Sequence, residues 1–145
     1  MKNINNKKLK ICSLNPKTGY MRDGYCRPIY SDLGKHLVCA KMNKEFLNYT
    51  AGRGNDLRSV VKEGENWCLC EDRYYQAYIS GKSPQVIQEA THKNINNDVK
   101  KAILKTNKKS SKKPKSKSTK KRKSKSTKKR KSKSTKKRKS TKNNF

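Results

Sequence analysis

The sequence predicts a small α+β domain followed by a strongly basic tail. Short apolar stretches with strand or helix periodicity follow one another without a regular strand–helix–strand order. Leu104 is followed by only one hydrophobic residue, Phe145, and residues 108–145 contain 21 Lys or Arg and no Asp or Glu. The chain therefore divides into a flexible N-terminus at 1–8, one domain at 9–107 and a tail at 108–145.

Turn residues interrupt the first part of the domain. Pro16 and Gly19 predict a tight turn, and Gly24 predicts a second one. The apolar stretches at 9–12 and 37–42 lie before and after these turns, and we expect both to form strands.

The next segment has the pattern of a helix. Asn43 can cap a helix over 44–51, because its side-chain oxygen can accept a hydrogen bond from a backbone N–H of the first turn. Phe46 and Leu47 begin the three- and four-residue spacings of one buried face. Gly52 then predicts the helix end.

A second strand is predicted at 67–70, where alternation would put Cys68 and Cys70 on the same face. The remaining predicted elements are, in order, a helix over 73–80 capped by Asp72, a short strand at 86–87 and a helix over 99–106 capped by Asp98.

The N-terminal region bears on location. The first ten residues are polar and cationic and no apolar run of secretory-signal length follows them, nor does any stretch approach about 20 apolar residues. We therefore expect an intracellular protein, cytoplasmic or nuclear and not secreted. Thiols stay reduced in those compartments, so the odd number of five cysteines argues against a disulfide framework.

Zinc is the metal that these residue types suggest. Zinc prefers thiolate and imidazole ligands, and the domain has more than the usual four. No Cys-x2-Cys pair is present, so the cysteines could equally be small buried hydrophobic residues or contain one reactive thiol. The candidate ligands are Cys12, Cys26, Cys39, Cys68, Cys70, His36 and His92.

A catalytic interpretation uses the same residues. Cys68 or Cys70 would be the nucleophile and His92 or His36 its base. An aspartate would orient the imidazole ring, and either histidine could instead have only a structural hydrogen-bonding role. The candidate aspartates are Asp23, Asp32 and Asp56.

The tail consists of an eight-residue repeat, Lys-Ser-Lys-Ser-Thr-Lys-Lys-Arg, at 115–122, 123–130 and 131–138. It has almost nothing to bury, so we expect it to be disordered, and its charge predicts binding to nucleic acid or another polyanion. A purely solubilising tail is the alternative. The basic clusters also resemble nuclear import signals. They are Lys120, Lys121, Arg122, Lys123, Lys128, Lys129, Arg130, Lys131, Lys136, Lys137, Arg138 and Lys139.

Several motifs of the domain resemble the bacterial family called domain of unknown function 2237. They lie, in the same order as in the family, at 12–27, 32–42, 45–47, 54–57, 67–70 and 89–92. The loop at 58–66 is shorter than the family's usual loop. The resemblance implies a fold class and no mechanism.

Two functions follow from the sequence. The first is a non-enzymatic binding protein that its basic tail attaches to nucleic acid or another polyanion. The alternative is a small thiol- or metal-dependent enzyme localised by the same tail.

Overall fold

The computed structural model describes residues 1–112, with side chains to Lys108, and Met1–Lys105 forms one compact unit. This part of the chain contains three α-helices and a three-stranded antiparallel sheet, which confirms the predicted α+β class. The elements in order are β1 (Val38–Lys41), α1 (Lys44–Gly52), β2 (Asn66–Leu69), α2 (Glu71–Ile79), β3 (Gln85–Val86), a 3-10 turn (Gln88–Ala90) and α3 (Asn97–Lys112).

The sheet has the order β2-β1-β3, so β1 is the central strand. Ala40 of β1 lies opposite Trp67 of β2, and Cys39 lies opposite Cys68. Because side chains alternate along a strand, these two pairs point to opposite faces of the sheet. The Ala40–Trp67 face belongs to the main hydrophobic core, and the Cys39–Cys68 face belongs to a separate cluster of cysteines.

Each of the three helices contributes a large side chain to the main core. Phe46 of α1, Tyr74 of α2 and Ile103 of α3 are all fully buried in it. These residues follow the helical spacing that the sequence shows, so burial of one apolar face accounts for where each helix packs.

Residues before β1 are irregular, and the predicted strand at 9–12 was wrong. Its backbone N–H groups bond to separate partners: Leu9 to Met1, Lys10 to Glu89 and Cys12 to Gly24. A strand needs one neighbouring strand along its length. Glycine is required at Gly24, where φ is 90° and an added Cβ would lie 2.7 Å from a side-chain carbon of Leu14.

The helix boundaries agree only in part with the sequence. Asn43 caps α1 as predicted, and its Oδ1 accepts a hydrogen bond of 2.7 Å from the Phe46 N–H. Gly52 lies inside α1, and the left-handed residue that follows is Gly54 with a φ of 85°. The helix therefore ends one residue later than predicted, at Gly52 itself.

The second and third helices begin earlier than predicted. Cys70 is the N-cap of α2, so Asp72 lies within the first turn and does not cap it. Asn96 caps α3, because its Oδ1 accepts a hydrogen bond of 2.8 Å from the Asp98 N–H. The third helix continues to Lys112, past the predicted domain boundary at 107. Within residues 1–112, none of the helices has the length and apolar character needed to cross a membrane.

Glu71 ties the start of α2 to the start of α3. Its side chain is 5% exposed, and Oε2 accepts a hydrogen bond of 2.6 Å from the Asn96 N–H. Burial raises the pKa of Glu71, although the Asn96 hydrogen bond and the charge of Lys35 act in the opposite direction.

Removing the α1 cap tests this account of the first helix. Asn43→Ala should lower the free energy of unfolding by about 0.5–2 kcal/mol, because the Phe46 N–H loses its acceptor. Equilibrium denaturation measures it. Asn48→Ala, on the exposed side of the same helix, is the matched control and should change stability by less than about 0.5 kcal/mol. Equal losses in the two variants would contradict the capping role.

Glu71→Gln tests the buried carboxyl. The folded protein binds the Glu71 proton more tightly than the unfolded chain does, so stability is lost as the pH rises through the folded-state pKa. Glutamine stays neutral and keeps an acceptor for Asn96. The free energy of unfolding of Glu71→Gln should therefore increase relative to that of the wild type from pH 4 to pH 7, which denaturant unfolding measures. Glu63→Gln, at an exposed position, measures the effect of removing one negative charge from a basic domain. A gain for Glu71→Gln no greater than for this control would refute the argument.

Candidate functional site

Four of the five cysteines lie together in the interior and are paired. The disulfides are Cys12–Cys39 and Cys26–Cys68, and all four residues are at most 5% exposed. The sequence argument against a disulfide framework was therefore wrong. The prediction was based on the odd number of cysteines and on an assumed reducing compartment. Neither of them determines which sulfur atoms are close together in the fold.

The sheet positions two of these sulfurs, and the irregular N-terminal segment brings the other two. Cys39 and Cys68 are cross-strand neighbours on β1 and β2, yet each is bonded to a cysteine that precedes the sheet. The disulfides thus attach the segment around Cys12 and Cys26 to the sheet face that the main core leaves free. A segment without regular secondary structure gains two covalent attachments in this way.

Two buried threonines complete the hydrogen bonding around the cluster. Thr91 Oγ1 accepts from the Cys39 N–H at 3.0 Å and donates to the Ile87 carbonyl at 2.9 Å. Thr18 Oγ1 accepts from the Cys68 N–H at 2.8 Å. These hydroxyls satisfy backbone donors that the strand pairing does not, so the two strand cysteines are held in fixed positions.

Three of the sulfur atoms are close enough to be considered as metal ligands. The Sγ atoms of Cys12, Cys26 and Cys39 lie within 4.8 Å of one another, and Cys68 is bonded to Cys26. No histidine joins this group within the part of the chain that the structure describes. A disulfide sulfur has no thiolate charge to offer, so the cluster could bind zinc only after reduction.

Cys70 is the remaining cysteine and has a free thiol. It follows β2 directly and occupies the N-cap position of α2 without a side-chain capping hydrogen bond. Free backbone N–H groups and the helix dipole attract negative charge to such a position. Cys70 is half-buried and lines a cavity of about 200 Å³ together with His36, Trp67, Arg73 and the paired Cys68. Cys68 was predicted to share a strand face with Cys70, but β2 ends at Leu69 and only Cys68 is within it.

His36 stands beside Cys70 and is oriented by Asp32. The His36 Nδ1 lies 2.8 Å from the Asp32 Oδ1, and the Asp32 Oδ2 accepts the backbone N–H of His36, also at 2.8 Å. A carboxylate only accepts hydrogen bonds, so Nδ1 carries a proton; in the neutral ring Nε2 is then the acceptor. Asp32 itself is buried, which fixes the ring orientation.

Gly34 leaves room for the ring and the thiol to approach the same point. A Cβ added to Gly34 would lie 3.0 Å from His36 Cε1 and 3.5 Å from Cys70 Sγ. The sequence indicated a cysteine, a histidine and an aspartate without choosing among them. The structure brings together Cys70, His36 and Asp32 around this glycine.

His92 has a different environment. It is buried, and its Nδ1 accepts a hydrogen bond of 3.1 Å from the Asn94 N–H, which requires an unprotonated Nδ1. Burial, the N-terminal amine and Lys93 all lower the pKa of His92. Its own backbone N–H bonds to the Leu37 carbonyl. These contacts give His92 the structural hydrogen-bonding role that the sequence left open.

The other two candidate aspartates have arginine partners. Asp23 Oδ2 accepts from Arg27 Nε at 2.7 Å, and Asp56 pairs with Arg58 at 2.8 Å. The hydrogen bonds from Arg58 lower the pKa of Asp56 to about 2. The predicted tail sites from Lys120 to Lys139 lie outside the described residues. The tail was expected to be disordered from residue 108, but residues 108–112 continue α3; the remainder of that prediction falls on residues outside the described part.

Comparison with known proteins gives a family and no function. No curated protein matches the chain. A family model described as an uncharacterized protein conserved in bacteria, DUF2237, matches residues 2–108. The match includes every motif on which the sequence resemblance rested and extends beyond them on both sides. The chain therefore belongs to the DUF2237 family.

Proposed function

We propose that this protein is a non-enzymatic binding protein that its tail attaches to nucleic acid or another polyanion. One observation carries the proposal: residues 108–145 contain 21 Lys or Arg and no acidic residue. Phosphate backbones bind such clusters with release of counterions. The repeat has no element that could read base edges, so we propose binding with little sequence preference.

The folded domain adds a weaker charge of the same sign. Residues 1–107 contain the other 19 basic residues and all 10 acidic ones. Some of these cations are already neutralised within the domain, as in the ion pairs of Lys10 with Glu89 and of Lys82 with Glu45. We therefore assign polyanion binding to the tail, which attaches the folded domain to the polyanion.

We propose a cytoplasmic or nuclear location on the same grounds. The Lys-Lys-Arg-Lys clusters have the composition of nuclear import signals. The two disulfides instead favour an oxidising compartment, where such bonds persist. Fractionation of cells that produce the full-length protein would decide between the two arguments.

Removing the tail is the direct test of polyanion binding. A chain ending at Lys112, where the described part of α3 ends, should lose nearly all affinity for duplex DNA and RNA. If about ten tail charges meet phosphates, the full-length protein should show a log–log salt slope of about −9. Fluorescence anisotropy over a salt series measures both quantities.

A tail of shuffled sequence and unchanged composition is the matched control. It should bind like the natural tail, because the proposed attraction depends on charge density and not on the order of residues. Near-UV circular dichroism should confirm that the shortened chain keeps its fold. Binding by the shortened chain with a small salt slope would contradict the proposal.

A second candidate function rests on Cys70. The Asp32–His36 hydrogen bond supports a thiol-dependent enzyme in which His36 Nε2 takes the Cys70 proton and the sulfur attacks an electrophilic carbon. The neighbouring cavity of about 200 Å³ would admit only a small group. Of the predicted candidates this function uses Cys70 and His36, which line one cavity, because Cys68 is paired with Cys26 and His92 accepts a hydrogen bond from Asn94. A metal-dependent form would use zinc and would need the paired cysteines in their reduced state.

Thiol reactivity tests this alternative. In the oxidised protein, iodoacetamide should modify Cys70 and no other cysteine, because the other four are paired. His36→Gln should slow the reaction at least about tenfold, since a positioned base contributes that much or more. Mass spectrometry with time-resolved quenching gives the rate.

Two variants control this experiment. Cys70→Ser should abolish the modification. His92→Gln should leave the rate unchanged, because His92 Nδ1 already accepts a hydrogen bond from the Asn94 N–H. A His36→Gln rate equal to that of the wild type would remove the catalytic interpretation and leave the tail function untouched.

A further inference from the structure

We infer that Cys12, Cys26, Cys39 and Cys68 form a redox-gated zinc site. In the oxidised state the four residues form the two disulfides. In the reduced state their four thiolates bind one zinc ion. This inference gives a ligand set and a regulation to the zinc that the residue types suggest. It depends neither on the tail nor on catalysis by Cys70.

The sulfur positions fit this interpretation. Tetrahedral zinc has Zn–S bonds of about 2.3 Å, which places neighbouring sulfurs about 3.8 Å apart. The Sγ atoms of Cys12, Cys26 and Cys39 already lie within 4.8 Å of one another, and Cys68 is in the same cluster. Cys68 Sγ is not among these three, so after reduction the Cys68 side chain has to rotate from β2 toward them to complete the tetrahedron.

The surrounding fold gives the properties of a closed structural site. All four cysteines are at most 5% exposed, so no coordination position faces solvent. Cys39 and Cys68 are fixed on paired strands, and the Thr91 and Thr18 hydroxyls bond their backbone N–H groups. Cys12 is fixed through its N–H to the Gly24 carbonyl at 2.7 Å. Fixed ligands lose little entropy when they bind a metal.

The other possible ligands are occupied elsewhere. His36 donates its Nδ1 proton to Asp32. Cys70 belongs neither to the sulfur group nor to the buried cysteine cluster, although it lines one cavity with His36 and Cys68. His92 accepts from Asn94 and does not belong to the sulfur group. The proposed zinc site therefore consists of four cysteines and excludes the fifth.

The exchange between the two states balances as a thiol–disulfide reaction. Each disulfide takes two electrons and two protons from a dithiol, which becomes a disulfide, and yields two thiols. Zinc then binds the four sulfurs and releases their protons. In the reverse direction two molecules of a disulfide oxidant take four electrons from the four thiolates and, with four protons from water, become dithiols; the two protein disulfides form again and the zinc is released. The same cluster thus links two parts of the chain in both states, once by covalent bonds and once by the metal.

Zinc stoichiometry of the full-length protein tests this inference. One sample stays oxidised, and another is reduced with a dithiol under anaerobic conditions. Both receive zinc chloride and pass through gel filtration before elemental analysis. We expect about one zinc per chain in the reduced sample and less than about a tenth of that in the oxidised one. Cobalt(II) in place of zinc should give the visible absorption of a tetrahedral thiolate complex.

Two variants separate the cluster from other thiols. Cys70→Ser should bind zinc like the wild type. The double variant Cys12→Ser/Cys39→Ser keeps the Cys26–Cys68 disulfide, so its fold can be verified in the oxidised state by near-UV circular dichroism. After reduction it should bind zinc at least about tenfold more weakly, because two of four ligands are gone.

Three outcomes would overturn the inference. The first is reduced wild-type protein that retains less than about a tenth of a zinc per chain, whether or not it stays folded. The second is equal zinc in the oxidised and reduced samples. The third is loss of zinc on Cys70→Ser as large as in the double variant. None of these results would bear on polyanion binding by the tail.

Discussion

The pairing of β1 with β2 is the constraint on which the rest of the domain depends. Its register sets Ala40 against Trp67 on one face and Cys39 against Cys68 on the other. The three helices pack in the core on the first face, and the N-terminal segment is attached to the second face through Cys12 and Cys26. A shift of one residue would exchange the two faces and leave the cysteines in the hydrophobic core.

The two candidate sites depend on the same strand. Cys68 points from β2 into the sulfur cluster, and β2 ends one residue later at Leu69. Cys70 then begins α2 and faces the cavity beside His36. A change from strand to helix between two nearly adjacent cysteines therefore separates a buried, paired sulfur from an accessible thiol. The two have different chemistry although only one residue lies between them.

The sequence predicted those elements whose cause is local. The periodicity around Phe46 and the cap at Asn43 determine α1, and the alternation at Trp67 determines β2. The segment at 9–12 has strand-like composition, but its backbone bonds go to three distant partners, which composition does not encode. Among the site residues, cysteine, histidine and aspartate types were indicated. The choice of His36 and Asp32 required the turn around Gly34, and the sulfur pairing required the sheet register.

The order of the four paired cysteines has a topological consequence. The bond from Cys12 to Cys39 and the bond from Cys26 to Cys68 overlap along the chain, since Cys26 lies between Cys12 and Cys39. Any single break of the backbone between residues 12 and 68 leaves its two fragments joined by at least one of these bonds. Exposed Lys17 and Lys35, which trypsin-like proteases recognise, lie in this range. The oxidised domain is therefore one covalent molecule even after its backbone has been cut there, and a protease would have to be followed by a reductant to release a fragment.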